Sequence, residues 1–400
     1  MRRVDALGVR SYARPRPRGH RLSTTRILTT HTGSLPRPAD VVDMLYRREA
    51  GEQVPELAPR VREAVREVVA RQIDVGIDVV DDGELGKVSY STYVAERLSG
   101  FTVEESLETS RRDFPDIEAF PEFAERRRAE AGRGFYKVRM PVCTGEVRYT
   151  GVDDLREELE VMRSALDAAG GAKAFMTAAS PGVIAMFLRN RHYPNRGAYL
   201  EALGEAMRTE YEAIHQAGFT LQLDCPDLAF GMMAFATDEG RVRKEAARTI
   251  DVLNAATASI PPEAMRMHVC WGNYEGPHHM DLPLATILDI VLSARPAALV
   301  LEAANPRHEH EWKLFADRGL PDGKTLVPGV IDSTSNYVEH PEVVAQRIGR
   351  YVDAVGPERV MAGTDCGFGT IAGRPNVVPG VVFAKLGSLV EGARLASAAV

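Results

Sequence analysis

Cysteine is scarce in this chain. Four occur among 400 residues, at Cys143, Cys225, Cys270 and Cys366. They lie far apart and lack the dense spacing of a small disulfide-stapled domain, so the chain reads as a protein of a reducing, cytoplasmic compartment. Long hydrophobic runs are missing as well: no apolar stretch reaches the roughly 18 residues of a membrane span. Positive charge is not in excess. The formal net charge is -7 and the pI near 5.9, which argues against nucleic acid and anionic membranes as partners. No G-x-G-x-x-G loop follows any predicted strand, so the phosphate cradle of a dinucleotide-binding open sheet is absent too.

What is present suits a large packed core. Hydrophobic residues make up 44% of the chain, enough for one large α/β barrel or two ordinary domains. Residues 1–26 stand apart. They carry Arg2, Arg3, Arg10, Arg14, Arg16, Arg18, Arg21 and Arg26 with no apolar core behind the charge. That composition excludes a secretory signal and predicts a disordered leader, with an organelle transit peptide or an over-extended start codon as alternatives. From residue 27 a β/α rhythm sets in. Strands are predicted near 27 and 79 and at 174–178, 220–224, 264–270, 297–302, 325–332 and 360–366. Helices are predicted at 57–76, 152–168, 197–217, 240–257, 283–294, 308–317, 341–354 and about 381–398. Eight such units predict a (β/α)8 TIM barrel over 27–400 with its site at the C-terminal face. Residues 85–150 read as an insertion, highly charged at 104–134 and alternating like a β-hairpin at 136–150.

The strand Met265–Trp271 places His268 and Cys270 two positions apart. Side chains alternate across a strand, so both project to one face. Imidazole and thiolate on one face make half of a zinc site; a buried strand end with an inert thiol is the plainer alternative. In a barrel all strand ends meet at one mouth. The polar residues there include His31, Ser34, Asp82, Glu84, Asp224, Cys225, His268, Cys270, Glu302, Asp332, Asp365 and Cys366. Two of the four cysteines thus converge with a histidine and a glutamate, all acceptable to zinc.

Several stretches match a known family: Thr29-Thr-His-Thr-Gly-Ser-Leu-Pro36, Asp82-Gly-Glu84, Leu223-Asp-Cys-Pro226, His268-Val-Cys270, Val300-Leu-Glu302, Pro328-Gly-Val-Ile-Asp332 and Thr364-Asp-Cys-Gly367. Through them the chain resembles the catalytic barrel of cobalamin-independent methionine synthase, in a single-barrel form. The resemblance implies Zn2+ at His268, Cys270, Glu302 and Cys366, with Ser34, Glu84 and Asp224 holding the amino-acid part of homocysteine. It implies a small-molecule thiol and an alkyl donor, methyl-folate or another, as partners. A homo-oligomer is open.

Two departures bear on the donor. Thr334 stands where the family has a histidine beside Asp332 that serves proton delivery; His340 is the candidate replacement. Phe187 stands where the family has a tryptophan on the pterin. Both suit a second relative, epoxyalkane:coenzyme M transferase, in which a thiolate opens an epoxide. An acceptor bearing a sulfonate calls for a basic residue in the mouth, for which Lys87, Arg189 and Arg191 are candidates. Two further readings are a metal-free decarboxylase like that acting on uroporphyrinogen, and a zinc-binding barrel without catalysis. Trp271 and Tyr274 are expected to pack around the substrate or cap the barrel. Cys143 and Cys225 are expected to be structural, and His278 and His279 to lie in a solvated loop.

Overall fold

The computed structural model describes residues 26–102, 115–131, 141–231 and 238–400. The expected leader, but for Arg26, and residues 136–140 of the expected hairpin lie outside the described residues. Eight strands form one sheet: β1 Leu28–Thr29, β2 Val79–Val80, β3 Lys173–Ala179, β4 Thr220–Asp224, β5 Met265–Val269, β6 Ala298–Glu302, β7 Thr325–Ile331 and β8 Met361–Thr364. Around the sheet the order runs β1-β8-β7-β6-β5-β4-β3-β2, with every pairing parallel. A parallel bridge from Thr30 to Val79 joins β1 to β2 and closes the ring. This is the (β/α)8 barrel that the sequence rhythm predicts.

Alternation along each strand sorts side chains into two cores. On β5, Met265, Met267 and Val269 pack outward against the helices. Val79, Phe175, Val300, Val327 and Met361 form a second, smaller cluster inside the ring. The Arg266 guanidinium lies 3.4 Å over the Phe175 ring and donates to Thr30 Oγ1 and the His31 carbonyl, so it plugs the barrel beneath the mouth. The helix Leu57–Val75 buries Ala64, Val65, Val68 and Val69 at helical spacing. It ends at Gly76, whose φ of 100° turns the chain back into β2.

Three expectations change. The helix predicted at 283–294 is a 3-10 turn, Leu284–Thr286, followed by a short helix, Leu288–Leu292. Of the hairpin expected at 136–150, the described residues pair elsewhere: Val142–Cys143 runs antiparallel to Phe101–Thr102, across the insertion. A helix at Pro181–Phe187 was not foreseen. Ser180 caps it through Val183 N–H, and Pro181 opens it. The insertion also carries the helices Pro115–Glu118 and Pro121–Ala131. Ile117 and Ala124 from these helices pack with Tyr274, so the insertion sits over the barrel mouth. Among the described residues no helix is long and apolar enough to cross a membrane.

Candidate metal and substrate site

His268 is the penultimate residue of β5, Cys270 follows its last residue, and Cys366 lies just beyond β8. Each offers one ligand atom, and these three atoms lie within 4.8 Å of one another. All three side chains are buried. The two sulfurs are 3.8 Å apart. Two zinc–sulfur bonds of about 2.3 Å at a tetrahedral angle set sulfurs about 3.8 Å apart, so the pair is already at ligand spacing. Neither ring nitrogen of His268 has a hydrogen-bond partner, although the Val300 carbonyl lies near the ring. Burial and the Arg266 charge push the His268 pKa down to about 3, leaving the neutral imidazole that metals bind. The adjacent Cys366 and burial push the Cys270 thiol well above its ordinary range. A cation between them reverses that preference and favours thiolates. The donor set therefore fits a soft or borderline metal ion such as zinc.

Glu302 ends β6 and lies beside this group rather than among the three converging atoms. Its Oε1 accepts from Trp271 N–H at 2.8 Å and its Oε2 from Asn305 Nδ2 at 2.8 Å. Asn305 in turn reaches Asp365, whose carboxylate also takes the backbone N–H groups of Ala303, Ala304 and Asn305.

A second pair of acids faces the same cavity. Asp224 ends β4 directly opposite His268 in the strand register. Gln222, two residues back on the same face, donates to Asp224 Oδ1 at 2.8 Å and holds it in place. Burial, then the nearby Glu84, push the Asp224 pKa up to about 8. Glu84 is held by a strained turn. Its φ is 56°, a conformation rare for a side-chain-bearing residue, and Asp82 Oδ1 takes its N–H. Burial raises its pKa, and its Oε2 has no partner. Two buried carboxylates with unspent acceptor capacity make a site for a cationic ligand group. Ser34 Oγ lies beside them, and Gly369 N–H donates to it at 3.4 Å. Gly33, with a φ of 126°, lets the chain turn there.

Comparison with known proteins decides the family. Residues 27–393 match the family described as cobalamin-independent synthase, catalytic domain. The chain belongs to this family. A methionine synthase of Thermococcus kodakarensis is 25% identical over 375 residues, covering 92% of both chains. One of Saccharolobus solfataricus is 23% identical over 372 residues, covering 92% of this chain and 94% of its own. Among solved structures, a B12-independent methionine synthase from a Shewanella species, in complex with selenomethionine, superposes with a TM-score of 0.70. Its identity is 20%, over 92% of this chain and 97% of that one. At that identity the likeness shows the barrel fold.

Within this synthase-family barrel, the cavity holding the group encloses about 460 Å³. Ser34, Glu84, Phe187, Asp224, His268, Cys270 and Cys366 all line it. Thr334 and Asp332 do not. They line a neighbouring cavity of about 560 Å³ with Glu302 and Asn305, meeting the first only along Gly272–Tyr274 and at Cys366. Phe187 and Thr334, the two departures that bear on the donor, thus line different cavities. Asp332 accepts from Thr334 N–H and Oγ1 and is held below the usual carboxylate range by such hydrogen bonds against its burial.

Trp271 is fully buried and lines neither cavity: its indole N–H donates to the Leu282 carbonyl and its ring lies tilted against His308. His340 is exposed and caps the helix Pro341–Val355, accepting from Glu342 N–H, so it faces neither cavity. Lys87 is buried against Thr177 and Glu158, while Arg189 and Arg191 are exposed and line neither cavity.

Residues the sequence reading missed supply the rest of the lining. Tyr90, Phe230 and Asn273 line the thiol-bearing cavity, and so do Arg127 from the insertion and Arg374. Tyr90 sits six residues beyond Glu84, a spacing that could have marked it. Arg127 comes from a charged segment whose place over the mouth only packing decides. Tyr274 lines both cavities and donates its phenol to Asp116 of the insertion at 2.7 Å. Cys225 is buried with its thiol toward the Leu223 carbonyl, and Cys143 belongs to the small antiparallel pair.

Proposed function

We propose that this protein is a zinc-dependent thiol alkyltransferase that passes a methyl group to homocysteine or a similar aminothiol. One observation carries the reading: three metal-ligand atoms within 4.8 Å form the floor of a cavity whose wall holds Glu84 and Asp224. His268, Cys270 and Cys366 would hold the ion, with Glu302 beside them as the fourth ligand. A zinc ion there would favour loss of the thiol proton and keep the substrate sulfur nucleophilic. Glu84 and Asp224 would grip the ammonium group, and Ser34 the carboxylate. Phe187, Tyr90 and Phe230 would screen the reacting carbon from water. The names of the curated relatives, methionine synthases at 25% and 23% identity, support the acceptor.

The test begins with metal analysis of the purified protein, expected to give one zinc per chain. Homocysteine is then offered methyl-tetrahydrofolate and small methyl donors, and the thioether product is read by mass. Protein without zinc, or without thioether from any donor, sinks the reading. A second reading is addition of a sulfonate-bearing thiol to an epoxide. It is favoured by Arg127 and Arg374 on the cavity wall and by Thr334 lying outside it. Coenzyme M with an epoxyalkane, run in the same assay, separates the two.

A further inference from the structure

Sulfur attack on an alkyl donor leaves a second problem: the atom that departs from carbon carries the bond's electron pair and needs a proton. The family-like candidates for that task are misplaced, since Thr334 and Asp332 line the neighbouring cavity and His340 is exposed on a helix end. Within the thiol-bearing cavity most hydroxyls are committed. Thr32 Oγ1 donates to the Thr364 carbonyl at 2.7 Å, and Ser89 bonds to Ser91 and Thr92.

Tyr90 differs. It lines the same cavity as Glu84, Asp224, His268, Cys270 and Cys366. Its ring stands edge-on to Phe187, with centroids 6.1 Å apart and planes at 89°, and its backbone N–H reaches the Thr370 carbonyl. Among the described residues its phenol has no hydrogen-bond partner. Tyr46, Tyr93, Tyr199, Tyr211 and Tyr274, by contrast, each donate the phenol to a protein oxygen. A phenol inside a cavity with no protein acceptor is a donor left for a ligand.

We propose that Tyr90 is a catalytic residue of the transfer, donating its phenolic proton to the leaving atom of the alkyl donor. This rests on the transferase reading above. The sulfur lone pair forms the new S–C bond while the bond from carbon to the leaving nitrogen or oxygen breaks. The bond pair stays on that atom, which takes the Tyr90 proton. Water returns a proton to the phenolate, balancing the one released when the thiol bound.

The variant Tyr90→Phe keeps the ring and removes only the hydroxyl. It is compared with wild type on donors whose leaving atom needs a proton, methyl-tetrahydrofolate and epoxypropane, and on trimethylsulfonium, whose leaving sulfide needs none. Zinc content and thiol affinity are measured alongside. The expected result is a kcat loss of about a hundredfold or more with the first class, on the scale of lost acid catalysis. With trimethylsulfonium the loss stays within about threefold, and zinc content and thiol affinity hold. Equal losses with both classes, or no loss with either, overturn the role of Tyr90. Wild-type protein that takes no alkyl group from any donor overturns the transferase reading itself and this role with it.

Discussion

Two histidine clusters lie on either side of Trp271, and they are opposites. His268 and His308 are each 3% exposed. His308 is fully partnered: its Nε2 meets Asp281 at 3.0 Å and its Nδ1 meets Glu311 at 3.0 Å. His278 joins the same Asp281 oxygen at 2.8 Å, and Glu311 also takes Leu284 N–H. Those carboxylates push the His308 pKa up to about 10, against its burial. His268 has no partner at either nitrogen, and burial holds it down at about 3. Burial alone therefore says little about a histidine. Paired with carboxylates it becomes a fixed cation that braces a loop; unpaired beside two thiols it is a ligand in waiting. Trp271 connects the two clusters, its ring against His308 and its backbone N–H donating to Glu302 Oε1.

The contrast breaks hardest at Cys366. A Cys366→Ser variant is expected to lose its zinc and to drop transfer by about a thousandfold, since a catalytic metal contributes several kcal/mol. Metal analysis and thioether assays check this, and the fold should survive by circular dichroism. If zinc stays stoichiometric, the ligand assignment fails.

His308→Gln should act on the other side of the contrast, on stability and not on metal. Removing one partner of a buried ion cluster costs about 3 kcal/mol. A denaturant titration should show that loss with zinc content unchanged. The sign with pH follows from the raised pKa. The folded value lies above the unfolded value of about 6.5, so this stability is whole below about pH 6.5 and is lost as pH rises through about 10. The variant should lack that decline. An identical pH profile in both proteins would place the charge elsewhere.

Glu84→Gln tests whether the wall acids read an ammonium. The KM for homocysteine should rise about 10- to 100-fold, the scale of a charged hydrogen bond, while a thiol without the amine is little affected. Equal changes for both thiols would remove the ammonium from the account. The smallest effect is expected at Thr334→Ala. Its hydroxyl bonds to Asp332 in the neighbouring cavity, so transfer should stay within about threefold of wild type. A larger loss would mean that the second cavity takes part in the reaction.

Much of the fold was legible in sequence because strand and helix periods are local properties. Each of the eight strands overlaps its predicted stretch; most are a residue or two shorter, while β3, Lys173–Ala179, runs one residue past 174–178 at each end. The candidate ligand pair was legible because alternation alone puts His268 and Cys270 on one strand face. Other features were not legible. His278 reads as a solvated loop residue, yet a φ of 51° and Asp281 fix it in a buried network. Trp271 reads as a substrate contact or a barrel cap; packing turns its indole away from the cavity and onto His308. Phe187 and Thr334 both read as departures bearing on the donor, yet they line separate cavities that meet at Gly272–Tyr274 and Cys366.

What the sequence determined by itself is the barrel and the residue types at its mouth, because alternation and β/α order are written along the chain. What only the tertiary structure decided is which of those residues have spent their hydrogen bonds. Partners such as Asp281 for His308 and Asp116 for Tyr274 come from other segments, 27 and 158 residues away. His268 and the Glu84 Oε2, left without partners, line the cavity, and so does Tyr90. They stand out only once every other side chain has been placed.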